Sequence, residues 1–144
     1  MDTTTVEERQ PGRWQVVLVW IGWLVSLAPV YIVLTSARWK LTSNPWYVRE
    51  FERIGWDTPA LPVLASLQLT AIVLYMIPWT AVLGAVLLTG YLGGAIATYM
   101  RIGELYPPLV PFTTAVLAWL GVWLREPRLR ALLPFRSARA ARRH

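Results

Sequence analysis

The sequence contains no cysteine, and its only histidine, His144, is the last residue. These gaps exclude disulfides, thiol redox relays and cysteine-ligated iron–sulfur clusters, and they leave no all-protein haem or zinc site, so no metal ligands are assigned. Charge is also scarce. Only 15% of the 144 residues are charged and 56% are hydrophobic, which is too little polar surface for a water-soluble domain to cover what it must bury. Neither a nucleotide-binding loop nor a nucleophile elbow is present. The stretch from Met1 to Pro11 is polar and lacks the short apolar core and small-residue cleavage site of a secretory signal peptide, so the first apolar run is expected to stay in the mature protein. Membrane is the expected solvent. There is room for about four spans and their loops, and none for a further soluble catalytic domain of the usual ~50 residues or more.

What is present is a set of long apolar runs. From Trp79 to Met100 the chain carries no charge and holds Gly90, Gly93 and Gly94 in its middle, matching the ~20 residues that cross a ~30 Å hydrocarbon core. The small residues Gly90, Gly94 and Ala97 fall at helical spacing with Gly84 a turn and a half earlier, and their expected role is close helix packing inside a bundle, with homodimerisation or a cofactor against the bare backbone as the other readings. An earlier span covers Trp14 to Thr35, with Trp14, Trp20 and Trp23 near one interface and a bend expected at Pro29. Spans are expected at about 14–35, 60–77, 79–100 and 109–124. The fold class is therefore an all-α membrane protein, a four-transmembrane-helix bundle over residues 12–134, between a polar tail at 1–11 and a basic tail at 135–144.

Between the first two spans, Arg38, Lys40, Arg49, Glu50, Glu52, Arg53 and Asp57 force the chain out of hydrocarbon. Asn44 can cap a short helix with Pro45 at its first position and Gly55 at its end, giving an interfacial amphipathic helix at about 45–54 with Tyr47, Phe51 and Ile54 on one face. The net charge of +6 is concentrated after the last span, at Arg125, Arg128, Arg130, Arg136, Arg139, Arg142 and Arg143. That tail reads as cytoplasmic and attracted to anionic lipid rather than to nucleic acid. Both termini are expected in the cytoplasm, because their side, with Arg9 and Arg13, outnumbers the Arg38, Lys40, Arg49, Arg53 and Arg101 of the other.

Few polar residues sit where chemistry would need them. Gln68, flanked by Ser66 and Thr70, is the most polar residue well inside a span; its amide suits a quinone carbonyl or a polar headgroup, or serves as interhelical glue. Tyr99 and Arg101 close the third span while Arg38 and Lys40 close the first at the same level. Together they would rim an outward cleft for an anionic substrate or headgroup, or else snorkel to phosphates.

The stretches LLTGYLGGAIATYMRIGELYP (Leu87 to Pro107) and AWLGVWLREPRLRALLP (Ala118 to Pro134), with TSARWKL (Thr35 to Leu41) and FERIGWDTPALPVL (Phe51 to Leu64), resemble the DoxX-like family of small membrane proteins. The resemblance implies a compact four-helix membrane bundle in a bacterial plasma membrane, in a family where some relatives are subunits of quinone-linked oxidoreductases. A quinone cofactor is implied by the resemblance alone. Relatives often carry a Glu where this chain has Gln68 and a His where it has Tyr99, so two groups that titrate near neutral pH are replaced by groups that do not. The leading expectation is a non-catalytic subunit of a membrane assembly. Two alternatives stand beside it: a small transporter or channel with a polar path near Gln68, Thr70, Thr98 and Tyr99, and a purely structural subunit that packs on a larger complex. A membrane protein partner or homo-oligomer is expected, with no nucleic acid.

Overall fold

The computed structural model describes residues 13–132. All the regular structure among them is helical: α1 (Arg13–Leu41), α2 (Pro45–Arg53), α3 (Ala60–Met76), α4 (Ala81–Arg101), α5 (Leu109–Arg125) and α6 (Pro127–Leu132). The polar start of the chain and the basic residues from Arg136 onward lie outside the described residues. Helices α1 and α4 are long and apolar enough to cross a membrane, while α3 and α5 are apolar and shorter, at 17 residues each.

Helix α1 packs along α3 and α5, and α4 packs along the same two helices. Small residues set how near the backbones come. A Cβ on Gly22 would lie 2.8 Å from the backbone nitrogen of Arg125 and 3.0 Å from the Gly121 carbonyl oxygen, so α1 and α5 cross almost backbone to backbone. Gly84 lies against the backbone of Tyr75 and leaves a Cβ no space there. Between the helices sits an apolar cluster of Val33, Ala71, Ile72, Tyr75, Ala81, Ala85, Leu88, Leu92, Ala118 and Val122.

The outer surface is apolar as well. Trp14, Trp20, Leu24 and Tyr31 of α1, Val63 and Leu67 of α3, Leu83, Val86 and Leu87 of α4, and Phe112 and Val116 of α5 are all exposed. A protein folding in water buries such residues.

Helix α1 runs through Pro29 and on to Leu41 without a break, beyond the expected end of its span at Thr35. Arg38 and Lys40 therefore remain on a helix rather than in a loop. Helix α2 forms through local capping: the Asn44 side chain accepts from the Trp46 backbone N–H at 3.0 Å, Pro45 opens the first turn, and Gly55, at φ 87°, ends it. A left-handed φ there favours glycine.

The stripe at Gly90, Gly94 and Ala97 does not pack inside the molecule. All three are exposed, and a Cβ at Gly90 or Gly94 would meet nothing within 4 Å. Helical spacing puts these residues on one face, but the face of α4 that meets α3 and α5 is the one carrying Ala81, Gly84, Ala85, Leu88 and Leu92.

Candidate functional site

A concentration of buried polarity lies where α1 ends. Ser36 and Lys40 are one helical turn apart, which points both side chains to the same side. Lys40 is 2% exposed and Gln68, arriving from α3, is 2% exposed. The Lys40 ammonium donates to Ser36 Oγ at 2.7 Å and to Gln68 Oε1 at 2.7 Å. Gln68 in turn donates from Nε2 to the Val33 carbonyl at 2.7 Å, which fixes the orientation of its amide. Aromatic rings enclose the rest of the cation. Its nitrogen lies 5.3 Å from the Tyr47 ring centroid, 5.6 Å from that of Phe51 and 5.5 Å from that of Tyr91, all within cation–π range.

Lys40 is thus drawn inward and does not snorkel. Hydrogen bonds and ring faces, with no carboxylate bonded to it among the described residues, stabilise its charge. Helix α2 closes the site from above, because Tyr47 stacks on Phe51 and its hydroxyl meets Ser36 Oγ at 2.9 Å. Burial pushes the Tyr47 phenol above its ordinary pKa, partly opposed by the hydrogen bond with Ser36.

The outer face of α2 is clasped to the far end of α4. Arg53 forms a two-point pair with Glu50, Nη2 to Oε1 at 2.6 Å and Nε to Oε2 at 2.9 Å, and also bridges to Glu104 in the turn after α4. The Arg53 guanidinium holds the Glu50 carboxyl below the usual carboxylate range. The Tyr99 hydroxyl donates to Glu50 Oε1 at 3.2 Å, and Arg101 donates to the Ile54 carbonyl at 3.2 Å.

The expected rim therefore separates into four. Lys40 joins Gln68 beneath α2, Tyr99 joins the Glu50–Arg53 clasp, Arg101, itself exposed, donates to the backbone that follows α2, and Arg38 is exposed on α1. Thr70 and Thr98 give their hydroxyl protons to carbonyls of their own helices, at Ser66 and Gly94.

A second buried cluster, absent from the sequence reading, lies at the opposite end. The Tyr75 hydroxyl is shared between Ser26 Oγ at 2.9 Å and the Ala118 carbonyl at 3.0 Å, and Ser26 passes its proton to the Gly22 carbonyl at 2.8 Å. Arg125 donates to the Tyr75 carbonyl at 2.6 Å, so a cation caps the last turn of α3. Its guanidinium carbon lies 4.6 Å from the Trp23 ring and 4.4 Å from the Tyr75 ring. Its Nε and Nη1 are buried without a hydrogen-bond partner among the described residues, and the two ring faces supply the electron density that water would otherwise give. Only the close crossing at Gly22 and Gly121 admits this network, and neither glycine belongs to a motif that would have flagged it.

Among the described residues no cluster of His, Asp or Glu stands close enough to hold a metal ion. No curated protein and no solved structure matches the chain. A family model described as DoxX-like does match, over residues 24–121. That span takes in the core of α1, all of α2, α3 and α4 and most of α5, including the whole Lys40–Gln68 site. Covering more than half of the sequence, and joined to two helices fit to cross a bilayer, it shows that this small membrane protein belongs to the DoxX-like family.

Proposed function

We propose that the chain is a four-span protein of a bacterial plasma membrane, with both termini in the cytoplasm, and that it acts as a non-catalytic accessory subunit of a membrane assembly. A quinone-linked redox complex is the class of assembly that its family points to. Four spans are supported by length. At 1.5 Å per residue, the 17 residues of α3 and of α5 reach about 26 Å, within the range of natural spans. Both pack against the two longer helices along an apolar outer surface.

The observation that carries the non-catalytic reading is that the interior is closed on itself. Ser26, Lys40, Gln68, Tyr75 and Thr114, the polar side chains buried between the helices apart from Arg125, all spend their hydrogen bonds on other atoms of the chain. None of the five lines the clefts at Gly103–Pro107 or beside Arg101, whereas a reacting group is expected in a pocket that substrate can enter. The same closure weighs against a conducting path: Gln68 is engaged on both sides of its amide, and Val33, Ala71, Ile72, Leu88 and Leu92 fill the interior with apolar groups. Gly90, Gly93, Gly94 and Ala97 leave one flank of α4 bare and open to a neighbour.

The test is extraction of the tagged full-length chain in a mild detergent, followed by mass spectrometry of retained proteins and lipophilic cofactors. A membrane protein recovered in fixed ratio is the expected result. Recovery of the chain alone, or quinone reduction by the chain alone, overturns the reading.

A further inference from the structure

The described cations around α2 and the far end of α4 fall into two groups, with the exposed Arg49 joining Arg101 in the unpaired one, its Nε donating to the Pro45 carbonyl of its own helix. Lys40 is spent on Ser36 and Gln68, and Arg53 on Glu50 and Glu104. Arg101 forms no ion pair among the described residues, and one of its guanidinium N–H groups goes to the Ile54 carbonyl. Its side chain lines an open surface cleft of about 350 Å³ together with Gly55, Trp56, Ala97 and Thr98. Gly55 keeps the approach open, since a Cβ there would lie 3.0 Å from Arg101 Nη2. Trp56 is exposed, and its indole N–H has no acceptor among the described residues. Ala97 forms the lower wall, and below it Gly94, Gly93 and Gly90 continue as bare backbone with open space around them. From Arg101 to Gly90 this bare helix face runs about 16 Å along α4.

We propose that the cleft and the bare face of α4 beneath it bind one lipid with an anionic phosphate headgroup, the phosphate against Arg101 and the Trp56 indole, an acyl chain along Gly94 and Gly90. Charge selects this occupant over a second copy of the chain. Two copies in one membrane, paired about an axis along its normal, bring their α4 helices together in parallel and place both Arg101 side chains at the same end, where like charges repel. A phosphate supplies the missing counter-charge, and guanidinium–phosphate contacts are strong. The proposal rests on the reading that the outer face of α4 meets the membrane.

The experiment is native mass spectrometry of the full-length chain in neutral maltoside micelles, titrated separately with phosphatidylglycerol, phosphatidylcholine and inorganic phosphate. One phosphatidylglycerol should be retained with about tenfold preference over phosphatidylcholine, whose choline cation offsets the phosphate charge that faces Arg101. Arg101→Gln should abolish that preference, and Arg38→Gln, at an exposed cation on another helix, should keep it. Gly94→Leu, placed where the fold leaves room, should lower retention of both lipids without changing the mass of the protein complex. Arg101→Gln with the wild-type preference overturns the proposal. So does displacement of phosphatidylglycerol by millimolar inorganic phosphate, which would mark a free-anion site, and so does a dimer that Gly94→Leu converts to monomer with lipid retention unchanged. Carbonate extraction of native membranes separates the two readings: release of the chain would refute membrane insertion itself, whereas retention with any of those results refutes only the lipid site.

Discussion

Replacing Gln68 by Leu keeps the volume at that site close to its original value and removes the atoms that hold Lys40. The lost contact is a hydrogen bond from an ammonium to Oε1 at 2.7 Å, with both residues 2% exposed. Hydrogen bonds to charged groups contribute about 1.5–3 kcal/mol, and a buried donor left short of an acceptor adds its own desolvation cost. The expected loss is about 2–3 kcal/mol, measured as a shift in the unfolding curve in mixed detergent micelles and followed by the fluorescence of the nine tryptophans. Lys40→Met alone should cost a similar amount, because it strands Gln68 Oε1. The double variant decides the matter. Replacing both partners by apolar groups of similar shape removes the pair without leaving an orphan, so Lys40→Met with Gln68→Leu should lie within about 1 kcal/mol of wild type. A double variant as unstable as the two single losses added together would refute the claim that the two side chains hold each other.

Other consequences are as specific. Gly84→Val should destabilise the α3–α4 packing by about 1–3 kcal/mol, because the new side chain meets the Tyr75 backbone, whereas Gly90→Ala should be neutral or stabilising by about 0.5–1 kcal/mol at its open helical site; the same unfolding assay separates them. Tyr75→Phe should cost about 1 kcal/mol through its shared hydrogen bond to Ser26 and Ala118, with near-ultraviolet circular dichroism reporting the loosened α1–α5 crossing. The Glu50 carboxyl is held below its usual range by Arg53, so its contribution is present above the unfolded carboxyl pKa of about 4.3 and is lost as pH falls through the lower folded value. Protection factors for hydrogen exchange in α2, corrected for the intrinsic pH dependence of amide exchange, should therefore fall on acidification through that window, and Glu50→Gln should flatten the dependence.

Much of the fold was legible because its causes are local. Asn44, Pro45 and Gly55 cap and stop α2 within ten or so residues of sequence, and the apolar runs alone mark α1, α3, α4 and α5. The site was harder to read, because its geometry comes from parts distant in sequence. Gln68 and Lys40 were both singled out, but each by itself: one as interhelical glue, the other as a cation at a helix end. They meet because α1 continues as helix past Thr35 and turns Lys40 toward α3, where α2 then folds over it. The glycines show the same limit. Spacing put Gly90, Gly94 and Ala97 on one stripe, but whether a stripe faces inward depends on which helix presents a backbone to it. That helix is α3, and it meets Gly84; Gly22 and Gly121 pack closely without any repeat to announce them.

The central claim, that four helices cross the membrane around this closed interior, can be tested directly because the sequence has no cysteine of its own. Single cysteines at Thr58 and Leu105, in the turns after α2 and α4, and at Trp79, in the turn after α3, and Arg128, in α6, at the other end, can be labelled with a membrane-impermeant maleimide in intact cells and again after lysis. A four-span topology predicts labelling of Thr58→Cys and Leu105→Cys in intact cells, and of Trp79→Cys and Arg128→Cys only after lysis. Labelling of Trp79→Cys in intact cells at the rate of Thr58→Cys would contradict it.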